Sequence, residues 1–146
     1  MTVATAKWSL DQYHRMIDAG ILDGKRVELL NGEIIQMSPE GPNHAQLSTD
    51  GADYLRELLR NQALVREAKP ITLPASGSEP EPDVTIVQPL RELYLTRHPH
   101  PEHIFWVVEY ANSSLAKDLG EKRSAYASAG IPEYWVVNLK KCVVTV

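Results

Sequence analysis

The chain has 146 residues, 43% hydrophobic and 23% charged, with a formal net charge of −4. That suits one domain spanning 1–146 with a real core, and it argues against a strong nonspecific nucleic-acid binder while leaving room for a nuclease with local basic groups. No apolar run approaches the roughly 18 residues of a bilayer-spanning helix, the start lacks the basic-then-apolar order of a secretion signal, and the sole cysteine, Cys142, permits neither an intrachain disulfide nor a cysteine metal cluster; the expected setting is the cytoplasm, with no membrane partner.

Residues 9–20 read as a short helix. Ser9 and Gln12 form a capping-box pattern, Leu10, Tyr13, Met16 and Ile17 share a face, and Gly20 ends it. Residues 26–30 and 33–37 are apolar runs joined by Asn31-Gly32, a strong hairpin signal. Residues 38–42 make a rigid, exposed loop by composition. Asn43 then looks like the cap of a long helix over 44–61, with Leu47, Tyr54, Leu55, Leu58 and Leu59 on its apolar side. Gly51 costs that helix about 1 kcal/mol against alanine, so a kink or a close contact is expected there.

Residues 64–73 read as a strand, 74–82 as a proline-rich loop outside any central ladder, and 83–87 as a second strand. Residues 88–102 are ambiguous, with a helical turn near 90–94. Residues 104–109 form a continuous apolar strand, expected at the centre of a sheet and covered on both faces. Ser113 or Ser114 caps a helix running to Ala129, with Gly130 after it and Pro132 beyond. Residues 133–138 give another strand and 142–146 one more. The order is helix, strand, strand, strand, helix, strand, preceded by a helix and hairpin. It predicts an α/β (α+β mixed) fold, a mixed central sheet flanked by helices, with a right-handed parallel crossover between the 104–109 and 133–138 strands.

Charged residues stand at the ends of these runs. Asp83 opens one strand and Glu109 closes the next. A short connection allows the two strands to be antiparallel neighbours, which brings both carboxylates to one edge of the sheet. Two such oxygen ligands suit Mg2+ or Mn2+, and a cation there points to hydrolysis of a phosphodiester by metal-activated water. Asp118, Lys122 and Tyr126 follow at helical spacing, on one stripe that can face the same edge. Lys122 would then orient or deprotonate the water, or neutralise charge on the phosphate. Singly, each residue has an ordinary explanation: a Pro-Asp turn, an exposed i,i+4 ion pair, a core tyrosine. Glu109 is harder to explain away, because a carboxylate flanked by core needs a partner or a metal. The loop 98–103, with three histidines, reads as an exposed linker rather than a metal site, since its prolines break regular ligand spacing. Tyr134 and Trp135 read as packing residues.

The text from Val27 to Ile34, Met37-Ser38-Pro39 with His44, Glu81-Pro82-Asp83-Val84, the run from Val107 to Ser114, Asp118 with Lys122 and Tyr126, and the run from Gly130 to Val137 together resemble one family. This is the restriction-endonuclease family of the Uma-two type, common in cyanobacteria and part of the PD-(D/E)XK nuclease superfamily. The resemblance covers nearly the whole chain. It implies a restriction-endonuclease-like core over 43–146, with 1–42 as an extension. It also implies Asp83 and Glu109 as metal-binding acids, and cleavage that leaves a 5′-phosphate. Ala111 stands where the superfamily signature has its lysine, and Lys122 on the next helix matches the family's displaced one. Glu28 matches a further acidic position that would complete the metal shell, and His44 a position that would contact metal or phosphate. Nucleic acid, DNA foremost, is the implied partner, with a homodimer as a further expectation. The family usually continues beyond the position of Val146, so a shortened core with an exposed last strand is expected. The competing reading is a non-catalytic nucleic-acid-binding or regulatory module. The acidic charge and the missing Glu-x-Lys favour it; the retained Asp83, Glu109 and Lys122 oppose it.

Overall fold

The computed structural model describes residues 2–146. Ser9 caps α1 (Leu10–Asp18) through the expected reciprocal box with Gln12. Strands β1 (Val27–Leu30) and β2 (Glu33–Gln36) form the expected hairpin. Asn31 and Gly32 both take positive φ, 50° and 76°, as a two-residue turn matching strand twist requires. The hairpin docks through a bridge between Leu29 and Glu79. Part of the loop expected outside any central ladder stays outside it, and through this isolated bridge holds the hairpin to the core.

The long helix α2 (Pro42–Leu59) begins at Gly41, not at Asn43, with Pro42 in its first turn. Proline suits that place because its missing N–H has no helical partner there. The packed face agrees with expectation in part, at Leu55 and Leu59. Ala52, Leu55 and Leu59 meet the sheet, whereas Leu47, Tyr54 and Leu58 are exposed. At Gly51 the close contact is the correct alternative: a Cβ there would stand 2.0 Å from the Tyr110 hydroxyl.

Five strands form the main sheet in the order β3-β4-β5-β6-β7. They are β3 (Leu64–Glu67), β4 (Val84–Val87), β5 (Ile104–Ala111), β6 (Tyr134–Asn138) and β7 (Val143–Thr145). Only β5 and β6 are parallel; the other neighbours are antiparallel. The mixed sheet and the order of elements agree with the sequence reading. Strand β3 is shorter than predicted because Ala68 turns the chain with φ 45°. Strand β5 runs two residues beyond Glu109, so that carboxylate sits within the strand and not at its end. Strand β7 is an exposed edge, as expected.

Residues 115–128 make one helix, α3, of uneven pitch. An α turn (Leu115–Lys117) leads into a π turn (Asp118–Lys122) and then an α segment (Arg123–Ser128). Alternation along β5 sends Val107, Glu109 and Ala111 to the α3 and hairpin side, and Trp106, Val108 and Tyr110 to the α2 side. Leu30, Ile71, Leu73, Val107 and Tyr126 fill the first layer; Ala52, Val65, Val84 and Val108 fill the second. Tyr134 packs edge-on against Tyr126, and Trp135 against Trp106, as packing residues do. The 98–103 loop is not an exposed linker. Pro99 is buried and its carbonyl accepts from the Thr72 amide, and His98, His100 and His103 are half-buried. No helix among the described residues is long and apolar enough to cross a membrane.

Candidate active site

The antiparallel register of β4 and β5 sets Val84 opposite Val108. One step further, Asp83 and Glu109 come side by side on the α3 face. The Asp83 amide donates to Glu109 Oε2 at 3.3 Å, and the Tyr110 amide donates to Asp83 Oδ2 at 2.6 Å. The two strands thus hold both carboxylates by backbone hydrogen bonds, with little freedom for either to swing away.

Helix α3 lies over this pair. Lys122 places its ammonium 2.8 Å from Glu109 Oε1 and 3.4 Å from Glu28 Oε2, and Tyr126 donates to Glu109 Oε1 at 3.1 Å. An exposed Asp118–Lys122 ion pair is not what forms: both side chains are buried. Asp118 instead accepts from the Ser114 hydroxyl at 2.5 Å. The π turn carries both residues, a local widening often found at functional sites. Ala111, where the usual signature has its lysine, is fully buried within β5.

Glu28, on β1, is fully buried and held by three donors. Lys117 reaches Oε1 at 2.9 Å, the Glu81 amide reaches Oε2 at 3.1 Å, and Lys122 adds the contact above. On the opposite wall, His44 Nε2 lies 3.1 Å from Asp83 Oδ2 and its Nδ1 3.5 Å from Glu40 Oε2. One ligand atom each from Glu40, His44 and Asp83 falls within 4.8 Å of the others. Among the described residues this is the group of three that converges so closely. Neither Glu28 nor Glu109 joins it.

These side chains line an open cleft of about 340 Å3. Six carboxylates (Glu28, Glu40, Glu81, Asp83, Glu109 and Asp118) face three permanent cations (Arg26, Lys117 and Lys122) and His44. The ionisation of the groups reflects that shortage of positive charge. Burial pushes Glu109 up to about 8, with Asp83 and Asp118 adding to it and Lys122 opposing. Burial likewise raises Asp118 against the Ser114 bond, and raises Glu81 together with the charge of Glu28. Burial also works against Glu28, but Lys122 and Lys117 outweigh it and hold that carboxyl below its ordinary value. Lys122 is raised despite burial, because Glu109 and Glu28 both favour its charged form. The bond with Asp83 raises His44, against burial. A surplus of carboxylate beside a buried His44 Nδ1 that makes no hydrogen bond is a donor set that fits a divalent cation.

The model of the Uma2 family, described as "Putative restriction endonuclease", matches residues 10–146. The chain belongs to the Uma2 family. Among solved structures, a "putative nuclease belonging to DUF820" from Anabaena variabilis matches with a TM-score of 0.64 and 16% identity, over 88% of this chain and 73% of that one. At that identity the likeness shows a shared fold. No curated protein matches the chain. Family and fold are those of a restriction-endonuclease-like nuclease.

In this Uma2 chain, Asp83, Glu109, Lys122, Tyr126, Glu28, His44 and Asp118 all reach the one cleft or its wall. Sequence reasoning missed Glu40, Glu81 and Lys117. The signals were present: Glu40 precedes His44 by four residues, Glu81 precedes Asp83 by two, and Lys117 stands one before Asp118.

Proposed function

We propose that this protein is a divalent-metal-dependent endonuclease that hydrolyses phosphodiester bonds of nucleic acid, DNA foremost, in the cytoplasm. The observation that carries the reading is the Asp83–Glu109 pair with the Lys122 ammonium 2.8 Å from Glu109 in a cleft short of positive charge. Asp83 and Glu109 would hold Mg2+ or Mn2+. Such a cation lowers the pKa of a bound water and offsets charge on a phosphoryl oxygen.

The chain's own groups supply the rest. Lys122 is held charged, so its part is to neutralise charge growing on the phosphate, not to take a proton. Tyr126 and the Asp83 amide fix the two oxygens of Glu109. Glu28 anchors Lys117 and Lys122, and it would enter a metal shell only by opening one of those bonds. Lys117 and Arg26 line the cleft, where they can meet flanking phosphates.

The test is incubation of purified protein with supercoiled plasmid, linear duplex, single-stranded DNA and RNA in Mg2+ or Mn2+. Cleavage should occur, stop with chelator or Asp83→Asn, and slow by about 100-fold or more in Lys122→Met. Binding of nucleic acid without cleavage, unchanged in Asp83→Asn, would favour the non-catalytic module.

A further inference from the structure

We propose that Glu40 and His44 complete the cation shell with Asp83 and make the site select Mn2+ over Mg2+; this rests on the metal-dependent reading above. Asp83 sits between two sets of donors. Glu109 lies on one side of it, and His44, backed by Glu40, on the other. Three of these residues, Glu40, His44 and Asp83, already offer ligand atoms within 4.8 Å of one another, and Glu109 stands just outside that group. His44 is fixed for such a role. It sits in the first turn of α2, only 13% of its side chain is exposed, and Tyr110 packs edge-on against its ring. Its Nδ1 is buried without a hydrogen bond, in a cleft otherwise rich in polar partners.

The donor chemistry then sets the preference. Mg2+ takes oxygen ligands in a strict octahedron and gives up its waters reluctantly. An imidazole nitrogen binds first-row transition cations, of which Mn2+ is the weakest binder, more readily than it binds Mg2+. In a shell with the carboxylates of Asp83, Glu109 and Glu40, which suit either ion and add affinity, the His44 imidazole is the donor that favours Mn2+. Glu40 stands in the loop before α2, where Arg26 reaches it at 3.4 Å, so the cation would also tie that loop to the sheet.

The experiment is titration calorimetry with Mn2+ and with Mg2+ on four proteins: wild type, His44→Ala, Glu40→Gln and Asp83→Asn. Wild type should bind Mn2+ at least about 10-fold more tightly than Mg2+. His44→Ala should weaken Mn2+ by at least about 10-fold, the loss typical of even an outer partner, and weaken Mg2+ by less, so that the preference narrows. Glu40→Gln changes no volume at a partly exposed side chain, so its smaller loss of Mn2+ affinity is read on a folded protein. Equal affinity of wild type for the two ions, or a preference that survives both His44→Ala and Glu40→Gln, would overturn the inference while Asp83→Asn still abolished binding. Binding that survives Asp83→Asn would instead overturn the metal site itself.

Discussion

Between pH 6 and pH 8 the affinity of the cleft for Mn2+ should rise at least about 50-fold, because the cation must displace a proton from Glu109. That carboxyl is pushed up from 4.5 to about 8 by burial and by the neighbouring acids. Only its ionised form ligates a cation. With a value near 8, roughly 1% of Glu109 is ionised at pH 6 and about half at pH 8, which gives the factor of about 50. The sign follows from the direction of the shift: a raised carboxyl favours the proton at low pH, so binding strengthens as pH rises and levels above about 8. Calorimetry in two buffers of different ionisation enthalpy counts the released protons. Near pH 6 the count should be about one from Glu109, and greater if His44, raised by its bond with Asp83, also ligates. Glu109→Gln should remove the Glu109 share of both the slope and the count. An affinity flat across this range, or a full slope retained by Glu109→Gln, would refute the reasoning.

Lys122→Met leaves Glu109 with the Tyr126 hydroxyl and the Asp83 amide, whereas Glu28 keeps Lys117 and the Glu81 amide. Breaking a buried pair costs about 3–5 kcal/mol; protonation of Glu109 sets the expected loss at the low end, measured by urea unfolding, and adding Glu109→Gln should recover part of it. Glu28 is held below its ordinary carboxyl value, so it contributes stability above that value and loses it as pH falls through its folded one. Glu28→Gln should therefore be less stable than wild type at pH 7, with the gap closing in acid; an equal gap at both ends of an acid titration would contradict this. Gly51→Ala gains about 1 kcal/mol of helix propensity but drives a Cβ to 2.0 Å from the Tyr110 hydroxyl. A net loss of about 1–2 kcal/mol is expected from overpacking, relieved in the double variant with Tyr110→Phe, as thermal unfolding would show.

Much of the frame was legible because local chemistry dictates it. Asn31-Gly32 can close a two-residue hairpin whatever surrounds it, and Ser9 with Gln12 forms its capping box within one turn. The adjacency of Asp83 and Glu109 followed from strand order and a short connection alone. What the sequence hid depends on contacts made across the fold. Ala68 turns the chain without glycine or proline, so β3 looked longer than it is. A π turn has no residue signature, so the spacing of Asp118 and Lys122 left an exposed i,i+4 pair open beside the stripe facing the sheet edge, and only the fold shows buried groups with separate partners. Of the expected apolar side of α2, Leu55 and Leu59 pack on the sheet beside Ala52, while Leu47, Tyr54 and Leu58 stay exposed, because Gly51 lets Tyr110 approach on the Ala52 side. Glu40 joined the site only once the hairpin and α2 had placed its loop beside Asp83. The 98–103 loop looked exposed by composition, and its burial comes from Thr72 binding the Pro99 carbonyl.

The claim that Asp83 and Glu109 together hold the cation is tested most directly by anomalous diffraction from crystals grown with Mn2+. The account predicts a peak within coordination distance of both carboxylates, beside His44 and opposite Lys122. A peak elsewhere, with Glu109 still closed on Lys122 and Asp83 on His44, would contradict it.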